Sequence, residues 1–281
     1  MTPLKGALIV LLGALTAGLA AWRVEGLRQG GSTGHHLLYL PTGRYLKALT
    51  LGYESLAADL IYIWSIQYYS NYQIRDRYDY LDRIYRQVIS ELDPHFLDPY
   101  LVGSMIMSVE ADRDDLALRL LEEGAEKNPR EWILPFQAGF LCYDKLQDYA
   151  CARDYFGRAQ ALPGAPAPVK RLHAEMVNRV GDKRNSLKYW AEIHDTADSD
   201  YVRQVSWMHV HDLKIEVDLE DLEKLLERTR ISRGVRPRSW ETLVRDHLLE
   251  AIPLDPEGRP YTIDPASGHV HSESRRLLQG R

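Results

Sequence analysis

The stretch EWILPFQAGFLCYDKLQDYACARDYFGRAQALP, residues 131–163, decides the fold. Its second half places the small residue Ala152 four and seven positions before Phe156 and Ala159. Side chains at positions i, i+4 and i+7 lie on one face of a helix. A polar turn at residues 146–148 separates this helix from an apolar helix before it. The stretch therefore predicts a helical hairpin.

The same helix face recurs along the chain. Ala117, Ala152 and Ser186 are spaced 35 and 34 residues apart, and apolar or small residues follow each of them at the same two distances. A period of about 34 residues is typical of stacked helix pairs. The predicted pairs cover about residues 97–128, 131–162 and 166–196. An irregular pair that begins near residue 51 precedes them.

The second pair resembles the tetratricopeptide repeat. The matching residues are Phe136, Gly139, Tyr143, Ala152, Phe156, Ala159 and Pro163, with Gly139 one position early. The resemblance covers about residues 51–198 and implies an α-solenoid whose first helices line a groove for a partner protein. On that face it implies the partner-binding residues Gln137, Asp144, Lys145, Arg171, Glu175, Asn178 and Arg179. For any one of them a solvated surface is the favoured interpretation, and it is as a set that they mark the face for partner binding.

The helix that begins the irregular pair has an apolar and aromatic face. Leu56, Leu60, Ile63, Trp64 and Tyr68 follow helical spacing, which predicts a long helix packed through this face. Asp59 interrupts the apolar run, and we expect it to be ion-paired or on an exposed side of the helix.

The N-terminal region, residues 1–23, is predicted to be a membrane anchor. Residues 6–22, GALIVLLGALTAGLAAW, are uncharged over a length that can span a bilayer core. Trp22 and Arg23 then resemble an interfacial anchor. A signal peptide cleaved after Ala20 or Ala21 is the alternative. Residues 24–50, with a Gly-rich run at 30–34, are predicted to be a linker and extended lead-in segment.

The two cysteines, Cys142 and Cys151, fall on either side of the turn in the second pair. They allow two interpretations: a disulfide that pins the hairpin in an oxidising compartment, or two small buried side chains.

The C-terminal region, residues 199–281, changes character. One or two helices, a short helix over residues 240–249 and a small β-hairpin around residues 264–268 are predicted. The segment from Leu219 to His271 resembles the C-terminal end of type II secretion pseudopilins, through Gly234-x-x-Pro237 and PLDPEGRPY at residues 253–261. Glu257 stands where that family usually has Trp. The resemblance implies a local α+β fold, and we carry over neither polymerisation nor a calcium site.

Signals for catalysis are weak. The chain has no P-loop, nucleophile elbow or zinc-binding helix motif, and no cofactor or metal is expected. The pairs His35-His36, His209-x-His211 and His269-x-His271 could each offer two metal ligands, but no further ligands are evident nearby. A net charge of −5 argues against nucleic-acid binding.

The predicted fold is mainly α: an N-terminal transmembrane helix, a tetratricopeptide-like solenoid and a small α+β tail. The layout resembles a group of bacterial proteins with an apolar N-terminus, the pattern LGYxxLxADL (here residues 51–60), helical repeats and this tail. That resemblance implies the architecture and little biochemistry. From the helical repeats and the apolar N-terminus we expect a non-catalytic scaffold in the inner membrane, largely periplasmic, that binds protein subunits of an envelope complex. The context is either pilus or secretion assembly or an accessory role in a large membrane complex. A metal-dependent hydrolase using His209 and His211 is the alternative.

Overall fold

The computed structural model describes residues 40–72, 74, 77–264, 266–274 and 276–278. This part of the chain is mainly α-helical and has one small antiparallel sheet, which confirms the predicted class. The predicted anchor at residues 6–22 lies outside the described residues. Among the residues that are described, no helix combines the length and the apolar character needed to cross a bilayer.

The first helices, in chain order, are α1 (Gly43–Thr50), α2 (Glu54–Tyr69) and α3, which is α-helical over Arg77–Arg83, π-helical over Ile84–Ile89 and α-helical over Ser90–Leu92. The regular pairs are α4 (Asp98–Val109) with α5 (Asp114–Lys127), α6 (Ile133–Asp144) with α7 (Tyr149–Gln160), and α8 (Ala167–Arg179) with α9 (Lys183–Asp195). The remaining elements are α10 (Asp200–Arg233), α11 (Trp240–Arg245), β1 (Thr262–Ile263) and β2 (Val270–His271).

From α4 to α10 each helix packs on the next one along the chain, and α4 also contacts α6. The turns between paired helices fall where the sequence predicts them. Side-chain caps help to start three of the later helices: Asp148, Asp182 and Ser199 accept hydrogen bonds from the backbone N–H groups of Cys151, Asn185 and Val202. The result is a linear stack, because contacts are mainly between neighbours in sequence.

Glycines in one helix leave room for large side chains from a neighbouring helix. A Cβ added at Gly103 of α4 would lie 2.5 Å from Tyr85 Cδ2, and one at Gly139 of α6 would lie 2.8 Å from Phe156 Cδ1. Tyr85, Phe156 and the small Ala152 are fully buried. These contacts explain why residues 103 and 139 are glycines.

The N-terminal edge of the stack departs from prediction in one respect. Residues 43–50 belong to the predicted linker and lead-in segment, but they form the helix α1. Gly43 is buried against the end of α3, where an added Cβ would lie 2.5 Å from the Val88 carbonyl oxygen. Close backbone contact, which the sequence pattern does not reveal, therefore docks this helix.

The packing face of α2 also differs from prediction. Ala58, Ser65 and Tyr68 are buried, whereas Leu56, Leu60 and Ile63 are exposed. The prediction that these apolar residues face the core is wrong for all three. Spacing places residues on a common helix face but does not say whether that face is covered.

The C-terminal tail packs along α10, which is one continuous helix, from Asp212 onward. Trp240 Nε1 donates to the Tyr261 carbonyl at 2.8 Å, and the Tyr261 hydroxyl donates to Asp218 of α10 at 3.0 Å. The predicted hairpin is present, with Ile263 opposite Val270. The short helix α11 ends at Arg245, four residues before the predicted end.

Candidate functional site

An open groove of about 410 Å³ lies between the first helices of two successive pairs, α4 and α6. Its lining is predominantly apolar, and α5 contributes the buried Leu121. The other lining residues are Leu101, Val102, Ser104, Met105, Ser108, Val109, Gln137, Phe140, Leu141, Asp144 and Lys145.

Three large apolar side chains in this groove are open to solvent. Met105 is 59% exposed, Val109 is 65% exposed and Phe140 is 43% exposed. Contiguous apolar surface with polar residues at its margin is typical of interaction sites. Met and aromatic side chains are also among those enriched at protein interfaces. The groove therefore has the chemistry of a site for an apolar segment of another molecule.

The polar margin of the groove contains three of the predicted partner-binding residues. Gln137 is half-buried, whereas Asp144 and Lys145 are exposed at the end of α6. The two opposite charges can orient a bound segment without contributing much affinity, because exposed ion pairs are weak.

A disulfide lies beside this margin. Cys142 and Cys151 are bonded, with their Cα atoms 5.8 Å apart, and they close the turn between α6 and α7. Asp144 and Lys145 belong to the segment enclosed by the bond. A covalent closure of this turn restricts where these two charged side chains can move relative to α6.

Two other predicted residues line a separate cleft. Arg171 and Glu175 of α8 border an open cleft of about 400 Å³ together with Trp190 and His209. Asn178, one turn after Glu175, is half-buried, and its carbonyl accepts the Gly181 N–H at 2.8 Å. Five of the seven predicted residues thus line two separate clefts, and Asn178 and Arg179 line neither of them.

Arg179 makes contacts within the stack. Its Nε donates to Glu175 at 3.1 Å, and its guanidinium lies 5.0 Å from the centre of the Tyr149 ring and 5.7 Å from that of Tyr143. These contacts connect α8 with the preceding pair. Arg179 therefore has a packing role in the stack, in addition to the partner contact predicted from the sequence.

The histidines of α10 are in different environments. His209 stacks on Trp190 with ring centres 3.7 Å apart, and burial lowers its pKa. His211 is buried, and its Nδ1 lies 2.8 Å from Asp212 Oδ1. They lie on a helix, two positions apart, and not on a strand, so the two rings do not share one face. Within the described ranges, no group of three or more His, Cys, Asp or Glu side chains is arranged to hold a metal ion.

The acidic residue of the turn at residues 253–261 is hydrogen-bonded within the protein. Asp255 accepts hydrogen bonds from the backbone N–H groups of Glu257 and Arg259 and from the hydroxyls of Ser272 and Ser274, at 2.6 to 3.0 Å. These donors occupy both carboxylate oxygens and fix the turn to the end of the hairpin.

The groove's apolar lining was not predicted from the sequence. A usable signal exists in α4, because its apolar residues surround the whole helix: Met105 and Val109 lie on the side opposite to the buried Gly103 and Met107. A helix that is apolar on every side needs a second covering surface. The groove face of α4 has no such cover from the described residues.

Comparison of the chain with models of known protein families and with curated protein sequences gives no match.

Proposed function

We propose that the protein is a non-catalytic scaffold, anchored in the bacterial inner membrane, that binds a partner subunit through tetratricopeptide-like helices. The observation that carries the proposal is the apolar groove between α4 and α6, with Met105, Val109 and Phe140 open to solvent. Stacked helix pairs with a period near 34 residues support the tetratricopeptide comparison. First helices line the groove, as they do in that family.

The chemistry of the groove favours a partner segment with apolar side chains and with charges at one end. Met and Phe offer adaptable contact area for an apolar side chain, and Asp144 with Lys145 fixes its direction. Gln137, Asp144 and Lys145 are the proposed polar contacts in this groove. Arg171, Glu175, Asn178 and Arg179 are proposed to contact the partner from α8.

The apolar run at residues 6–22 supports anchoring with the bulk of the chain in the periplasm. The disulfide between Cys142 and Cys151 is compatible with an oxidising compartment. The pseudopilin-like tail favours pilus or secretion assembly as the context, and an accessory role in a large membrane complex is the other context that we propose.

Site-specific photocrosslinking in the native membrane tests this function. A photoreactive residue replaces Phe140 in the groove or Ile231 on α10, which is exposed and remote in sequence. We expect one defined crosslinked subunit from position 140 and none from position 231. Equal products from both positions, or none, would contradict the groove proposal.

A second measurement introduces a charge into the apolar lining of the groove. Met105→Glu should weaken binding of the crosslinked subunit at least about tenfold, because a carboxylate is desolvated in an apolar interface. Tyr201→Glu, at an exposed residue of α10, is the matched control. For the hydrolase alternative, a tightly bound metal that is lost in a His209→Ala variant would contradict the scaffold proposal.

A further inference from the structure

The first two helices expose an unusual amount of apolar surface. Of the twenty large hydrophobic side chains that are exposed among the described residues, nine lie between Tyr45 and Tyr72. On α2, Leu56, Leu60 and Ile63 are 54%, 60% and 55% exposed and lie on one side of the helix. This surface is separate from the groove between α4 and α6.

The exposed apolar surface is wider than the seam of a helix pair. Tyr45 and Leu49, four residues apart on α1, are also exposed, and Leu51 in the turn between α1 and α2 is 86% exposed. A partner helix would cover only a narrow stripe along one helix of this protein. Exposed apolar residues on α1, in the turn and on α2 extend beyond a single helix, which fits a broader occupant, a lipid bilayer.

Positive charge accompanies the apolar residues. Arg44, Lys47 and Lys127 border a shallow cleft of about 430 Å³ beside α1, together with Ser90, Glu91 and Pro94. Within the described residues, the side chains of Arg44 and Lys47 make no ion pair. By helical spacing Arg44 and Lys47 lie on a different side of α1 from Tyr45 and Leu49. An apolar face with basic residues on the remaining face is typical of helices that lie in the interface of an anionic membrane.

Chain length keeps this surface near the proposed anchor. Residues 23–39 separate Trp22 from Leu40, the first described residue. A chain of this length spans at most about 60 Å, and as a coil it averages about 25 Å. Asp59 is exposed on the same side of α2, three residues after Leu56 and four before Ile63, and its charge limits contact to the headgroup region.

We propose that α1 and α2 dock on the bilayer surface. Tyr45, Leu49, Leu56, Leu60 and Ile63 enter the interface, and Arg44 and Lys47 contact the phosphates of anionic lipids. This inference rests on the proposed membrane anchoring, because the anchor is what holds α1 close to the bilayer. Docking fixes the orientation of the helix stack relative to the membrane.

The test measures the surroundings of single positions in the full chain, with the native cysteine pair kept oxidised. An introduced cysteine at Leu60 or Ile63 carries an environment-sensitive fluorophore, and Ile231 on α10 is the matched exposed control. The protein is reconstituted in vesicles of phosphatidylglycerol and phosphatidylcholine. Nitroxide lipids report contact with the bilayer, and iodide reports contact with water.

We expect nitroxide lipids to quench the fluorophore at positions 60 and 63 and iodide to quench it at position 231. If the chain floats with the vesicles but positions 60 and 63 are quenched by iodide as strongly as position 231, anchoring stands and docking is refuted. If the chain does not float with the vesicles, both anchoring and docking are refuted. Disulfide-linked dimers of the unlabelled Leu60→Cys chain, at equal yield with and without vesicles, would assign the surface to a second copy and refute docking.

A charge-reversal arm tests the headgroup contact. Each basic residue near an anionic surface favours binding about fivefold, so the Arg44→Glu, Lys47→Glu variant should lower the ratio of docked to undocked protein at least about 25-fold. The matched control, Lys224→Glu with Arg228→Glu, changes two exposed residues of α10. Unchanged lipid quenching at position 60 in the first variant would refute the proposed role of Arg44 and Lys47.

Discussion

Gly103→Ala tests the packing that joins the irregular leading pair to the regular stack. Gly103 is buried in α4, and a Cβ there would lie 2.5 Å from Tyr85 Cδ2, 2.7 Å from Leu120 Cδ2 and 2.9 Å from Tyr85 Cε2. Tyr85 and Leu120 are themselves fully buried, so neither side chain can retreat into solvent. The added methyl group therefore forces two core side chains or the backbone of α4 to move.

The magnitude follows from two opposing effects. Overpacking a well-packed core by one carbon typically costs about 1–3 kcal/mol. Replacing Gly by Ala inside a helix recovers up to about 1 kcal/mol of helix propensity. At Gly103 there are three close contacts, all with buried side chains, so the cost of overpacking exceeds the gain in helix propensity. We expect a net loss of about 1–2 kcal/mol in the free energy of unfolding.

The measurement is urea unfolding of the detergent-solubilised full chain, followed by tryptophan fluorescence. Gly157→Ala is the matched control, because Gly157 is in α7, is half-exposed, and has its nearest neighbour, His173 Nε2, at 3.2 Å. We expect the transition midpoint to fall for Gly103→Ala and to stay close to the parent value for Gly157→Ala, with an unchanged slope. A Gly103→Ala chain that is as stable as the parent would refute the described contact between α3 and α4.

Two further predictions concern the disulfide and the tail. Replacing both Cys142 and Cys151 by Ala should lower the free energy of unfolding under oxidising conditions by about 2–3 kcal/mol, because the bond closes a ten-residue loop. Thiol labelling of the denatured, unreduced parent should find no free cysteine. Labelling of both cysteines would contradict the bond. Burial alone would raise the pKa of Asp212, but the backbone N–H groups of Leu277 and Leu278 and the His211 ring outweigh it and hold that pKa below its usual range. The stability that the ionised Asp212 carboxylate contributes is therefore present above about pH 4, the ordinary range for Asp, and is lost as the pH falls through the lowered pKa. When the free energy of unfolding is measured against pH, it should decline less steeply in acid for Asp212→Asn than for the parent. An identical decline would refute the assignment.

Periodicity predicted the regular part of the fold well. The pattern built on Ala117, Ala152 and Ser186 locates the second helix of each pair, and all three residues are buried. Turn positions followed because polar and glycine-containing segments interrupt the apolar faces. These signals are local in sequence, so they can be recognised without knowledge of the tertiary structure.

The groove and the bilayer-docking surface required the structure. Leu56 and Met105 belong to apolar helix faces in the sequence, but burial depends on which helices approach from elsewhere in the chain. The same limit applies to Arg179, whose spacing predicts a groove position and whose side chain reaches Tyr149 across the stack. Sequence spacing assigns side chains to faces, and tertiary packing determines what each face contacts.

The unbroken course of α10 has a mechanical consequence. Its contacts with α9 extend from Val202 to Asp221, and its contacts with the tail begin at Asp212, so the two sets overlap. A helix of 34 residues is about 51 Å long. The last repeat and the tail therefore share residues 212–221 of α10, about 15 Å of this length. Any load on the tail is transmitted to the last repeat without an intervening hinge.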